Sequence, residues 1–245
     1  MYTHRFYRTW VSHGDLCRFR IVRHESDLHI AADCDLSMAA CDALHRVRRE
    51  LEGYADGNEA FLHSLVPVTV PPSAPEVAVR MAEASSLWGV GPMASVAGAV
   101  AESVGRALEE WTDTVIVENG GDIFARSAGT LNFVLYAGED SPFSGRIGFR
   151  IHAPDGKGVC TSSGTVGHSL SFGRAGAVTV VAGDCAEADA AATAIANMIS
   201  APGDLEETLE RVSLRGSVEG VVACCGRSIV SRGVRLLPVE GREGA

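Results

Sequence analysis

No run of apolar residues in this sequence comes near the roughly 20 that a membrane-spanning helix requires, which excludes a helical membrane protein. The opening MYTHRFYRTW carries charges but no apolar stretch behind them, so it does not read as a secretory signal. Positive charge is also scarce. Lys and Arg total 21 against 31 Asp and Glu, a net charge of −10. That argues against nucleic acid and against anionic membrane surfaces as partners. Arg46, Arg48 and Arg49 do cluster, but their helical spacing with Glu50 and Glu52 reads as a solvated face. CxxC spacing is missing from the seven cysteines, Cys17, Cys34, Cys41, Cys160, Cys185, Cys224 and Cys225. Structural zinc and iron–sulfur clusters are thereby disfavoured. The count is odd and the chain too large for a disulfide-stapled miniprotein, so most of these thiols are expected as small buried hydrophobes. Low-complexity tracts are absent, and no sequence repeat is visible. The expectation is a cytoplasmic protein of one domain over 1–245, or of two intertwined halves at about 1–75 and 76–245.

What is present suits a sizeable core, since 46% of the residues are hydrophobic. LCRFRIVR alternates as a half-buried strand, HESD is a turn, and LHIAAD returns. A helix follows, with Leu36, Ala40, Leu44, Val47, Leu51 and Tyr54 as its apolar stripe and Asp35 or Ser37 as its cap. Residues 58–75, punctuated by Pro67, Pro71, Pro72 and Pro75, read as a connection. Helices are predicted over 76–87 and from Pro92 to about Trp111, the second with Ser95, Gly98 and Gly105 permitting close packing against a sheet. Strands are predicted at 114–118, 131–136, 146–151 and 177–182. Asp184 and Glu187 have capping-box spacing before an alanine-rich helix over 186–200. A further helix over 206–212 and a hairpin complete the chain. Strand–strand–helix runs in both halves suggest a duplicated unit.

Three segments carry candidate chemistry. The first is GVCTSSGTVGHS, Gly158 to Ser169, where hydroxyls and glycines crowd together. It reads either as a polar loop between strands or as a cradle for phosphate or carboxylate built by Thr161, Ser162, Ser163 and Gly164. His168 and Cys160 lie within it as candidate catalytic groups; the alternative for Cys160 is a packed thiol. The second is the turn Asn119-Gly120-Gly121-Asp122. It reads either as a hairpin turn or as a gap that admits a ligand, with Asp122 reaching into it. The third is the helix bearing Asp189 and Thr193, four residues apart and so on one face. A carboxylate and a hydroxyl there are half of a hard-cation site, suited to Mg²⁺. The alternative is that Asp189 caps the first turn and Thr193 bonds back to a carbonyl.

Taken in order, these three segments resemble the ApbE family of Mg²⁺-dependent flavin transferases, which carries an NxGGD turn, a TSG loop and an ADAxxTA helix. The matching stretches are Glu118 to Asp122, Thr161 to Gly164 and Ala188 to Ala194, within a span of about Gly89 to Ser200. The whole chain is similar to a short ApbE-related branch that shares Ser26-Asp27-Leu28 and the TSSGTVGHS loop. The resemblance implies an α+β fold of duplicated T-fold type, with mostly antiparallel sheets packed against helices. It implies FAD or FMN as cofactor and a small phosphorylated or flavin-like ligand. It also implies Mg²⁺ held by Asp189 and Thr193, with Asn119, Gly120, Gly121 and Asp122 lining the flavin or nucleotide pocket. The chain departs from the family in having no DPxTG segment, Glu118 at the NxGGD asparagine position and a shorter amino-terminal part. Two further readings stand beside the transferase. One is an enzyme or protein partner in anaerobic sulfur assimilation and homocysteine formation, in which Cys160 gains importance. The other is a non-enzymatic ligand-sensing or assembly subunit. Edge strands of such sheets lead us to expect a homo-oligomer.

Overall fold

The computed structural model describes residues 16–164, 173–212 and 215–239. Its strands form one nine-stranded antiparallel sheet in the order β1 to β8, with β9 paired to β5. The strands are β1 (Cys17–Arg23), β2 (Ser26–Ala32), β3 (Val115–Asn119), β4 (Asp122–Val134), β5 (Ile147–Ser162), β6 (Ala177–Ala182), β7 (Val218–Cys225), β8 (Ser228–Arg232) and β9 (Leu236–Pro238). Between β2 and β3 lie α1 (Ser37–Ala55), α2 (Glu59–His63), α3 (Glu76–Trp88), a 3-10 turn (Pro92–Ser95) and α4 (Val96–Leu108). Between β6 and β7 lie α5 (Cys185–Met198) and α6 (Asp204–Arg211). The order strand, strand, helices, strand, strand thus occurs twice, which gives the duplication a structural form. None of the described helices is long and apolar enough to cross a membrane.

The helices cover one face of the sheet. The main core lies between them and includes Leu44, Phe61, Met81, Val104, Phe124, Val180 and Ile195. Ile116, Val159 and Val181 point to the other face and join a second cluster with Leu131, Phe133, Phe149 and Ile151. Register shifts between Ala125 and Thr130 bend the β4–β5 hairpin, and so bring its far half into that cluster. The Phe133 and Phe149 rings stack there at 5.6 Å.

Several expectations need adjustment. The connection 58–75 contains a short helix, α2. The helix expected from Pro92 begins as a 3-10 turn. Strand β4 starts at Asp122, well before the predicted 131–136, and β5 continues to Ser162, so the first part of the Gly158–Ser169 segment is strand, not loop. Arg46 and Arg49 are exposed as expected. Arg48, by contrast, is half-buried; it ties α1 to the β1–β2 turn through Ser26 and Glu25 and also pairs with Glu52 of its own helix.

Alanine explains the placement of α5. Ala186, Ala188, Ala190, Ala191, Ala192, Ala194 and Ala196 are all buried, so the helix is enclosed on nearly every side. Alanine has the highest helix propensity, and its short side chain lets a helix axis approach its neighbours closely. At Gly158 of β5 a Cβ would sit 2.5 Å from the Cys185 Cα and 3.1 Å from the Ala188 Cβ. An Ala188→Leu substitution would overfill this contact. We expect a loss of about 1–3 kcal/mol, seen as a lower urea midpoint with an unchanged denaturant slope.

Candidate functional site

The NGGD turn closes the β3–β4 hairpin. Asn119 pairs with Asp122, and Gly120 and Gly121 have φ of 72° and 116°. Positive φ at both central positions is what a two-residue hairpin with the native strand twist needs. The Gly121 amide donates to Glu118 Oε1 at 2.8 Å, so it is already engaged within the turn. The hairpin reading of this segment therefore holds. The same turn also sets Asn119 and Asp122 on the helix-covered face of the sheet. Asn119 Nδ2 donates to the Ala97 carbonyl at 3.1 Å, and Asp122 Oδ1 accepts from the Thr161 amide at 3.2 Å.

Asp189 does not cap its own helix. Asp184 does so, its side chain accepting from the Glu187 amide. The Asp189 carboxylate instead reaches the amino-terminal end of α4, where Oδ2 accepts from the Gly98 amide at 2.9 Å and the Ala97 amide also contributes. Ser95, in the capping position of α4, makes no side-chain cap and turns its hydroxyl to the Pro92 carbonyl. Asp189 thus does from α5 what Ser95 leaves undone. Gly98 makes the approach possible, since a Cβ there would lie 2.3 Å from the Cys185 carbonyl oxygen. Gly98 was expected to pack against a sheet; it packs against α5. Burial pushes the Asp189 carboxyl well above the ordinary carboxylate range, and the nearby charge of Asp122 raises it further, while the two amides oppose the shift. Asp122 and Asp189 are both buried.

Thr193 stands one turn beyond Asp189 and is half-buried. Ser103 of α4 bonds back to the Ala99 carbonyl at 2.7 Å, but the Thr193 hydroxyl makes no such bond and has no hydrogen-bond partner among the described residues. Both alternatives to a ligand role for this pair, the intrahelical cap and the back-bond, are therefore not what α5 adopts.

Strand geometry divides the expected hydroxyl cradle. Successive side chains of β5 alternate between faces. Cys160 and Ser162 lie on the helix-covered face with Asp122. Thr161 lies on the other, its hydroxyl 2.8 Å from that of Thr179. Ser163 donates to the Gly176 carbonyl, and the Gly164 amide to the Ala175 carbonyl. His168 lies outside the described residues. Cys160 is fully buried, and burial, with Cys185 and the two aspartates nearby, pushes its thiol well up. These are the surroundings of a packed thiol, not of a ready nucleophile or an accessible sulfur carrier.

Sequence reasoning missed the support behind the site. Glu102, buried on α4, accepts from the Cys185 amide at 2.7 Å and pairs with Arg80 at 2.6 Å and Arg106 at 3.1 Å. Arg80 also reaches Asp184, the cap of α5, at 2.5 Å. The only available signal was a glutamate at an otherwise apolar helix position.

The nine-stranded antiparallel sheet with helices on one face is the fold shared with ApbE proteins of known structure. Among solved structures, the chain is similar to the flavin transferase ApbE of Vibrio cholerae, with a TM-score of 0.58 and 12% identity over 92% of this chain and 97% of that one. It is similar also to the ApbE protein of Thermotoga maritima, with a TM-score of 0.55 and 13% identity over 92% and 97% of the two chains. The chain belongs to the ApbE-like family described as "AbpE bacteria", whose model matches residues 8–215. Curated relatives include the UPF0280 protein of Methanopyrus kandleri, 43% identical over 239 residues, which cover 90% of this chain and 96% of the relative. The UPF0280 protein of Methanocaldococcus jannaschii is 52% identical over 153 residues, 61% of this chain and 62% of its own.

Replacing Asp189 separates its two roles. Asp189→Ala leaves the α4 amides unmet and should cost about 0.5–2 kcal/mol. Asp189→Asn keeps an acceptor oxygen and removes the buried charge. Because the folded-state pKa of Asp189 is raised, wild-type stability falls as pH rises from the ordinary carboxylate range through the raised value. Thermal melts in metal-free buffer should therefore show Asp189→Asn at least as stable as wild type at neutral pH, the gap closing as pH is lowered.

Proposed function

We propose that this protein binds a flavin dinucleotide, or a ligand with the same phosphorylated chemistry, in the cleft between the NGGD turn and α5, and acts on it with Mg²⁺ as a transferase. The observation that carries this reading is the convergence of Asp122 and Asp189. Both are buried, and the charge of Asp122 raises the pKa of Asp189, so a divalent cation held by the two carboxylates would stabilise the pair. The donor set fits Mg²⁺, which takes oxygen ligands from one or two carboxylates and completes its shell with waters and phosphate oxygens. Asp122, Asp189 and the Thr193 hydroxyl would supply the protein's share. Among the described residues no group of three or more His, Cys, Asp or Glu is arranged to hold a metal by itself, so phosphate from the ligand would be an integral part of the site.

When bound, the ion would supply charge stabilisation to the pyrophosphate during transfer. The chain's own residues do the positioning. Asp122 is fixed at its turn by the Thr161 amide, and Asp189 by the α4 amides. Ser162 offers a hydroxyl on the same face of β5. The Asn119 amide holds the first turn of α4 in register with the hairpin, and Glu102 and Arg80 hold the head of α5. The structural neighbour from Vibrio cholerae is named a flavin transferase, and that supports a flavin ligand over other phosphorylated ones.

Titration calorimetry with FAD, FMN and ADP, each with and without Mg²⁺, tests the reading. FAD and ADP should bind in a Mg²⁺-dependent way, Asp122→Asn and Asp189→Asn should abolish that dependence, and Thr193→Ala should weaken it. Absence of heat with all three ligands, together with a melting temperature that Mg²⁺ leaves unchanged, would overturn it.

A further inference from the structure

The strand order stops at β8, which among the described residues pairs with β7 and with no further strand. The β7–β8 hairpin turns through Gly226 and Arg227, and its closing pair is Cys225 with Ser228. In a two-residue hairpin the closing pair, and every second pair beyond it, exchange the ladder hydrogen bonds. Ser228, Val230 and Arg232 therefore bond inward to β7, while Ile229 and Ser231 turn their amides and carbonyls to the open edge. Val230 lies opposite Ala223 and shares the helix-covered face, whereas Ile229 packs against the cluster on the other face.

α6 flanks this edge. Two adjoining hollows of about 460 and 300 Å³ lie between it and β8, and both are bounded by Glu206 and Val230, so they form one trough along the strand. Leu205, Leu209 and Val230 give it an apolar floor. The wall on the helix side carries the exposed carboxylates of Glu206 and Glu210, and neither has an ion-pair partner among the described residues. Arg227 stands at the end nearest the hairpin turn. Arg232 is committed elsewhere, since its Nη1 donates to the Leu209 and Glu210 carbonyls at 3.0 and 3.3 Å and so closes the end of α6.

The spacing of the two carboxylates suits a strand. Residues four apart on a helix are separated by about 6 Å along its axis, and alternate side chains of a strand by about 6.6 Å. A second copy of this chain does not suit the trough. Two β8 edges joined about a two-fold axis would set α6 against α6, and each brings Asp204, Glu206, Glu207 and Glu210 with Arg211 as its one basic residue.

We propose that the β8 edge and its α6 wall are a docking site for an extended segment of another protein, added antiparallel to β8. Two of its alternate side chains are basic and face Glu206 and Glu210, and the next on that face is acidic and meets Arg227. The backbone of the segment pairs with Ile229 and Ser231, which fixes its register, and its charges select it. Docking here does not depend on what the Asp122–Asp189 pair binds.

Fluorescence anisotropy with the full chain and a labelled peptide containing Lys-Val-Lys-Thr-Asp tests the site. A second peptide, with proline in place of Val and Thr, keeps the charges and loses the two amides that face β8. The first peptide should bind saturably and the second should not. Combining Glu206→Lys with Glu210→Lys should weaken the first peptide about tenfold, the scale of two exposed ion pairs, and should let a Glu-Val-Glu-Thr-Asp peptide bind in its place. Both glutamates are exposed, so that variant should keep the wild-type circular dichroism. Ser231→Pro removes an outward amide without touching a β7 bond and should abolish binding; should it fail to fold, the proline peptide decides the same point. Equal binding of the proline peptide, or no binding of the first, would overturn strand addition. Affinity unchanged by the charge reversal would overturn the role of the α6 wall. A dimeric mass in sedimentation that Ser231→Pro reduces to the monomer would place a second copy at this edge and overturn docking of a foreign segment.

Discussion

A helix end without its own cap is the constraint on which the site depends. The first amides of α4 need acceptors, and Ser95 does not supply one. The Asp189 carboxylate does, from a different helix. To do so it must be buried, and burial of an ionised carboxylate is unfavourable unless something meets it. Two backbone amides meet part of that need. The Asp122 charge works against it. The arrangement is thus a compromise that a bound cation would relieve, and this is why a structural cap and a candidate ligand can be the same side chain.

That cap interlocks elements that are far apart in the chain. Asn119, at the end of β3, holds the Ala97 carbonyl while Asp189 holds the Gly98 amide, so one turn of α4 is gripped from the sheet and from α5 at once. Behind it, Glu102 joins Arg80 of α3, Arg106 of its own helix and the Cys185 amide. Each carboxylate in this interior has donors, as buried charges require. The geometry around Asp122 and Asp189 therefore follows from three helices and a hairpin held against each other, not from any one loop.

Much of the secondary structure was legible in the residues, because it rests on local rules. The alternation in β1, the 3.6-residue stripe of α1, the apolar run of β6 and the Asp184 cap of α5 each express a short-range physical preference, although the Glu187 carboxylate goes to Ser217 and not back to the Asp184 amide. The Gly158–Ser169 segment shows where such rules stop. Its glycines and hydroxyls look like loop chemistry, yet Gly158 to Ser162 are strand. Gly158 is small because α5 lies across it, and Thr161 is polar because it meets Thr179 on the adjacent strand. Both causes are partners distant in sequence, which no window of neighbouring residues contains. The early start of β4 was hidden for a similar reason, since its first residues are strand through pairing with β3 and with the far end of β5.

The amino-acid sequence alone determined the ordered set of turn, hydroxyl segment and alanine helix, and with it the family and the kind of chemistry to look for. It also placed Asp189 and Thr193 on one helical face, because a spacing of four is nearly one turn. Only the tertiary structure decided which way that face looks, that Asp122 is its neighbour, that Asp189 caps a foreign helix, and that Cys160 lies beside Cys185. Those are contacts between segments many residues apart, and they exist only once burial of the shared core has brought the segments together.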